Sequence, residues 1–411
     1  MITLRDYQDK IADWACNTVS HYGIAYLAME VRTGKTLTAL VAAKRYGAKK
    51  VLFLTKKRAI QSIEHDYELL DKPFEITVTN YENLHHVTDN DYDLLICDEN
   101  HLNSAFPKPN NRTKIIKKRF GKIAHIYLSG TPAIESGSQW YHSLWMSDNS
   151  PFRNYPNFYR WANDYVNVRM KYLGSRQVRD YTDSKDNLIM AKINHLIYWF
   201  TQSEAGFSGS VDEGVLYCRM SDRTNAMLKR LAKDRVIKGA TDVILGDTPV
   251  KLMSKLHQLE SGTVILESEK AIITDTTKAE FIRDKFAGKK IAIFYFFKKE
   301  LDVIQQVMGD KICTDLATFD TTDKWIALQQ VSGSEGISLK AADFIVYYSW
   351  GYSGKNYTQS RDRMSTIDRK ENNVIFVFQP GGLMEKIYDT IKNKKKYNDK
   401  MFIKDFKTIS Y

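Results

Sequence analysis

Gly34, Lys35 and Thr36 follow the apolar run that ends at Met29, and these are residue types that hold phosphate. Backbone N–H groups at a helix start favour an anion, a lysine reaches the terminal phosphates of a triphosphate, and a hydroxyl can hold magnesium. The helix this requires is visible, since Leu37, Leu40 and Val41 share one face and Gly47 can end it. Two features leave the assignment open at this point. Met29 stands where the general loop pattern has its first glycine, and Gly-Lys-Thr also occurs at ordinary loop-helix junctions.

A metal and a water need a second set of groups. "LLICDENH" offers an apolar strand that delivers Asp98 and Glu99 at its carboxyl end. Asp98 can bind magnesium through water, and Glu99 can orient or deprotonate an attacking water. A third stretch, "YLSGTPAIES", puts Ser129, Gly130, Thr131 and Pro132 after the next apolar run. Alone it is a turn; its place after the other two makes it informative.

These groups need a scaffold that brings several strand ends together. Short β-rich runs alternate with helical patterns at 24–28, 51–55, 76–79, 93–97 and 125–129, and again at 290–297, 325–331, 344–349 and 373–378. Strands apolar on both faces and separated by helices predict parallel sheets covered on both sides, with ligands beyond the strands' carboxyl ends. The fold class expected is therefore α/β, with two parallel-sheet lobes. The aromatic and basic stretch between them reads as a mostly helical insertion. The expected division is 1–135 for the first lobe, 136–212 for the insertion and inter-lobe region, and 213–411 for the second lobe with a basic tail.

In order along nearly the whole chain, these stretches resemble the motifs of helicase superfamily 2, within it the Swi/Snf-like DNA translocases, including compact phage members. "LRDYQ" resembles the opening motif, which implies nucleotide contacts from Arg5 and adenine recognition by Gln8. "AMEVRTGKT" resembles that branch's phosphate loop, which also lacks the first glycine, and implies Thr33, Gly34, Lys35 and Thr36 as nucleotide-binding residues, with Thr36 and Asp98 on Mg2+. "FLTKKRAI" and "VTNYENL" resemble segments that touch the nucleic-acid backbone, implying Thr55, Lys56, Lys57, Arg58, Thr79 and Asn80. "VSGSEGISLKAAD" resembles the motif that meets both nucleic acid and nucleotide, here through Ser332, Gly336 and Ser338. "YYSWGYSGKNYTQSRDR" implies Trp350 as a nucleic-acid or coupling residue, Gln359 as a catalytic one and Arg363 as an arginine finger.

The resemblance implies two RecA-like lobes with ATP and Mg2+ as cofactors, and a DNA helicase or translocase acting on single-stranded, forked or branched DNA. One departure stands out: family members carry a second arginine three residues after the first, and that position is Thr366. It keeps a nucleotide-dependent DNA clamp with little turnover in view as an alternative, beside an RNA helicase.

Bulk composition agrees with a folded chain of more than one domain, with 411 residues, 43% of them hydrophobic. Lysines and arginines number 60 against 49 acids, a net charge of +11 that suits a polyanionic partner. The four cysteines are far apart and have no metal-ligand spacing, which fits a reducing compartment. No export signal or apolar run of membrane-spanning length is seen, so the expectation is a monomer in the cytoplasm, the host's if the chain is viral. The lysine-rich terminal stretch reads as a solvated helix and tail.

Overall fold

The computed structural model describes residues 3–411 apart from 174–175, 208–209, 240–241, 331–336, 354–356, 358–359, 365–370 and 394–396. The chain divides into two compact units, Met1–Gly206 and Phe207–Tyr411.

The first unit runs α1 (Asp6–Tyr22), β1 (Ile24–Met29), α2 (Lys35–Tyr46), β2 (Lys50–Thr55), α3 (Ile60–Glu68), β3 (Glu75–Asn80), β4 (Leu94–Cys97), α4 (Asn111–Phe120), β5 (Ala124–Leu128), α5 (Gln139–Trp145), α6 (Phe158–Tyr165), β6 (Arg169–Leu173), β7 (Arg176–Asp180), α7 (Asp186–Ile193) and β8 (Ile197–Phe200). Its sheet has the order β3-β2-β4-β5-β1-β8, and every pair is parallel. β1, β4 and β5 are buried along their whole length, which is why they read as continuous apolar runs. Because the strands are parallel, Met29, Thr55, Cys97 and Leu128 end at one edge, and the loops that follow them start side by side.

The second unit runs β9 (Ser210–Tyr217), α8 (Asp222–Asp234), β10 (Val236–Lys238), β11 (Val243–Leu245), α9 (Pro249–Leu259), β12 (Thr263–Ile265), β13 (Ala271–Ile273), α10 (Thr277–Lys285), β14 (Ile291–Tyr295), α11 (Glu300–Met308), β15 (Ile312–Cys313), α12 (Leu316–Thr321), β16 (Trp325–Gln329), β17 (Phe344–Tyr347), β18 (Glu371–Phe378), α13 (Leu383–Lys392) and α14 (Asp399–Asp405). Its six-stranded sheet is again all parallel, in the order β15-β16-β14-β17-β18-β9, while β10–β11 and β12–β13 are separate antiparallel pairs. The expected α/β fold with two parallel-sheet lobes is the one observed.

The stretch between the expected lobes does not stand apart. Residues up to Gly206 belong to the first unit, where β8 extends the sheet beside β1 and the buried Trp140, Tyr141, Phe158 and Trp161 join its core. Three helices lie in that stretch, as expected, but so does the β6–β7 hairpin. The terminal tail also differs from the expected solvated one. Phe402 is buried, Phe406, Ile409 and Tyr411 pack on the second core, and the Tyr411 hydroxyl donates to Glu260 Oε1 at 2.6 Å. Among the described residues no helix is long and apolar enough to cross a membrane.

Candidate nucleotide-hydrolysis site

The loop after β1 is fastened at both ends. Glu30 N–H donates to Phe200 O at 2.9 Å, carrying the β1–β8 ladder one residue onward. The Glu30 carbonyl then accepts from Thr33 Oγ1 at 2.8 Å and from Lys35 Nζ at 3.3 Å. Arg32 and Gly34 both adopt left-handed backbone, at φ 64° and 78°, which turns the chain into α2. Gly34 is required twice over. Its φ suits glycine, and a Cβ there would lie 2.2 Å from Gln8 Nε2. Gln8 thus sits against the phosphate loop, while its Oε1 accepts from Arg5 N–H at 3.0 Å and fixes the start of α1. Arg45 of α2 bonds Asp9 and Asp13 of α1, which keeps the two helices in register.

Asp98 and Glu99 leave β4 beside this loop. Asp98 N–H continues the ladder to Leu54 O at 2.8 Å, and Thr55 Oγ1 donates to its Oδ2 at 2.8 Å. Its carboxyl is pushed up to about 6, first by burial, then by the adjacent Glu99 charge, with Lys35 opposing both. Glu99 itself holds φ 50°, an uncommon conformation for a side chain of its size. Its Oε2 lies 3.2 Å from His101 Nδ1, which is also 3.0 Å from Ser129 Oγ. Ser129 Oγ in turn accepts from Thr131 N–H at 3.1 Å. A Cβ on Gly130 would lie 3.4 Å from Met29 O and 3.5 Å from Val31 N, so the third motif's backbone passes close to the phosphate loop. The three motifs of the first unit therefore meet at one edge of the sheet.

The expected nucleic-acid residues fall into two groups. Thr55 is fully buried and committed to Asp98, and Asn80 is buried with its Oδ1 accepting from Asn83 N–H at 2.8 Å. Both are buried, Thr55 beside Asp98 and Asn80 at the turn after β3. Thr79 and Lys56 are half-buried, whereas Lys57 and Arg58 are exposed on the 3-10 turn Lys57–Ala59 after β2.

In the second unit, Ser338 is exposed. Arg363 lies on the 3-10 turn Asp362–Met364, largely buried, and its carbonyl accepts from Leu339 N–H at 2.9 Å. Trp350 is fully buried, edge-on to Phe376 and Phe378 at 5.4 and 5.1 Å, so it offers no face to a base. Arg361, near the place of the missing second arginine, is 3.2 Å from Glu213 Oε1. Ser332, Gly336, Gln359, Thr366 and Arg369 lie outside the described residues.

The sequence did not reveal Phe200 and Gln202 as neighbours of the loop. Gln202 N–H donates to Glu30 Oε2 at 2.7 Å and its Nε2 to Val31 O at 2.9 Å. Nor did it reveal Tyr7, which stacks on Phe200 with centroids 4.7 Å apart and accepts from Arg5 Nη1 at 3.0 Å. No local pattern marks a pairing across about 170 residues; only the β1–β8 register creates it.

The fold and site together define a tandem parallel α/β protein with a Gly-Lys-Thr loop and an acidic pair at the strand ends of its first sheet. No protein-family model matches the chain, and no curated protein does. Two similar solved structures are a Sulfolobus solfataricus SWI2/SNF2 ATPase core in complex with double-stranded DNA and the same organism's SWI2/SNF2 ATPase core domain. They are 16% and 17% identical, each with a TM-score of 0.43; 96% of this chain aligns with 91% and 89% of theirs. At that level the likeness assigns no activity, substrate or partner.

Proposed function

We propose that this chain is an ATP-dependent DNA translocase or helicase of superfamily 2, turning hydrolysis into movement on DNA. The observation that carries this is the meeting of Lys35, Asp98 and Glu99, with His101 bridging Glu99 to Ser129, at one edge of a parallel sheet. In this reading Lys35 leaves the Glu30 carbonyl to hold the terminal phosphates. Gln8, already against the loop, contacts the base, with Arg5 beside it. Glu99, positioned by His101, orients the attacking water. Arg363 of the second unit supplies positive charge to the transferring phosphoryl group, with Gln359 in the same segment.

Magnesium fits the residues present. Thr36 and Asp98 are oxygen donors, and an ion sharing its shell with phosphates and water needs few protein ligands. Asp98, destabilised by burial and by Glu99, is a carboxylate that a divalent cation would relieve. Bound there, magnesium would neutralise charge on the phosphate oxygens.

Lys57, Arg58 and Ser338 are the exposed candidates for gripping the DNA backbone. The substrates proposed are single-stranded, forked or branched DNA, handled by a monomer in the cytoplasm.

The test is steady-state ATP hydrolysis alone and with single-stranded, duplex or forked DNA or with RNA, beside Lys35→Ala and Glu99→Gln. Stimulation by one DNA form, lost in both variants, is expected. Wild-type turnover no higher than that of Lys35→Ala would overturn the proposal.

A further inference from the structure

The β6–β7 hairpin has no role in the site above, and its construction calls for one. It is a separate two-stranded antiparallel sheet, pairing Arg169 with Asp180 through to Leu173 with Arg176. Two strands alone are at best marginally stable in water, so a hairpin kept outside the main sheet depends on its root. That root is built with care. Tyr165, Val166 and Tyr181 are buried in the first core, Val166 bridges Ser184, and Asn167 N–H donates to Asp183 O at 2.8 Å.

The root is also tied to the segment that follows the Ser-Gly-Thr-Pro motif. Ser136 Oγ donates to Thr182 O at 2.8 Å and Ser138 Oγ to Tyr181 O at 2.6 Å. Between them a Cβ on Gly137 would lie 2.2 Å from Asp186 Oδ1, so glycine permits this close approach. A displacement of the hairpin root thus bears on a segment seven residues from Ser129, which touches His101.

Beyond the root the hairpin is cationic. Residues 167–179 contain Arg169, Lys171, Arg176 and Arg179 and no acid. Arg169 and Lys171 have side chains 75% and 53% exposed, and Arg179 is exposed. Asp183 and Asp180, both near the root, hold Arg169 at 2.5 Å and Lys171 at 3.4 Å. Such exposed pairs contribute at most about 1 kcal/mol, so these acids orient the cations without consuming them.

We infer that this hairpin is a DNA-binding element that meets the phosphate backbone from both faces of its ribbon, with Arg169 and Lys171 on one face and Arg179, paired with Met170, on the other. This rests on the reading of the chain as a DNA-dependent ATPase. The charge is sequence-indifferent in character, since phosphate contacts position a protein without reading bases.

The test uses the full chain and a short fluorescein-labelled DNA duplex, with affinity followed by anisotropy across a series of KCl concentrations. It compares wild type, the combined Arg169→Gln, Lys171→Gln and Arg179→Gln variant, the single Arg179→Gln variant, and a charge-keeping Arg169→Lys and Arg179→Lys variant. The combined variant should flatten the slope of log affinity against log salt by about 2 to 3, near 0.9 per lost phosphate contact, and Arg179→Gln by about 0.9. The charge-keeping variant should retain the wild-type slope, and DNA-free ATP turnover should be unchanged in all. If the combined variant fails to fold, the single variant decides. A wild-type slope in the neutral variants, or their loss of binding to anionic lipid vesicles instead of DNA, would overturn the inference and leave the ATPase reading intact. A wild-type chain that hydrolyses ATP but binds no DNA would overturn both.

Discussion

Asp98 of the first unit and Glu260 and Glu300 of the second are all pushed up by burial, yet they are partnered differently. Glu260 accepts from Leu383 N–H at 2.6 Å, Met384 N–H at 2.9 Å and the Tyr411 hydroxyl, which fixes the start of α13 and the end of the chain. Glu300 accepts from Phe296 and Phe297 N–H and from Ser349 Oγ, which closes the exit of β14. Asp98 has Thr55 Oγ1 and the Glu99 backbone as hydrogen-bond partners, and the Glu99 carboxylate beside it raises it while Lys35 lowers it. Glu260, saturated by donors on both oxygens, and Glu300, bonded through Oε2, hold backbone turns together, whereas Asp98 is set beside a second acid with Lys35 as the opposing charge. The lysines divide the same way. Lys35 lies at a loop and is half-exposed, while Lys278 is fully buried, bonded to Tyr348 O at 3.1 Å, and lowered to about 8 by burial.

Exchanging the lysines would break this contrast most sharply. Lys35→Ala should reduce ATP turnover by at least about 10²- to 10³-fold, as loss of a group aimed at developing charge does. Its melting temperature should fall less than that of a buried-lysine variant, since Lys35 is half-exposed, although Asp98 loses the charge that opposes its burial. Lys278→Met should do the reverse, costing about 3 to 5 kcal/mol in denaturant unfolding by leaving Glu260 and Glu300 without a neighbouring cation. Equal stability losses in both variants would erase the distinction.

Acid should separate the units further. His125 and His142 of the first are lowered to about 4 and His257 of the second to about 3, each by burial. An imidazole kept neutral in the fold is protonated first in the unfolded chain, near pH 6.5. Stability is therefore intact above that pH and falls as pH drops, by about 1.4 kcal/mol per unit for each histidine, until the folded pKa is reached. At pH 5 that amounts to about 4 kcal/mol from the first unit's pair and about 2 kcal/mol from His257. Amide exchange between pH 7 and 5 should show protection lost faster in residues 3–206; a greater loss in 210–411 would reverse the comparison. A smaller effect tests the saturated acid. Tyr411→Phe removes one donor from Glu260 and should cost about 1.5 kcal/mol in the second unit, with ATP turnover unaltered.

The strands most legible in the sequence were those buried on both faces. β1, β2, β4, β5, β14, β16 and β17 are mostly apolar, and their expected positions match to within two residues. The strands that were missed are peripheral. β8 and β9 border the sheets, and β9, "SVDEGVLY", breaks the apolar pattern with an exposed Asp212 and with Glu213, which Tyr357, Tyr388 and Arg361 hold. The site was legible where chemistry is local, in Gly-Lys-Thr, Asp-Glu and Ser-Gly-Thr. What the sequence did not show is where one residue serves another. Thr55 and Trp350 have types that suit nucleic acid, but only the fold reveals that Asp98 and the aromatic core already claim them. The tail was misread because its lysines hide the apolar Phe402, Phe406 and Tyr411.

Gln202 poses the subtlest test, because it belongs to the segment that leads out of the first unit and yet grips the phosphate loop. Its backbone N–H holds the Glu30 carboxylate, and Glu30's own carbonyl holds Lys35. Gln202→Ala deletes the bond to Val31 O but keeps the backbone bond to Glu30. One such hydrogen bond is worth about 1 kcal/mol, so the loop should bind nucleotide about fivefold more weakly. Because the lost bond tightens the resting loop and not the reacting phosphoryl group, the change should appear in KM for ATP, with kcat held. A fall in kcat at constant KM would instead place Gln202 in the transition state's support, and no change in either would mean that the loop keeps its shape without the segment that leaves it.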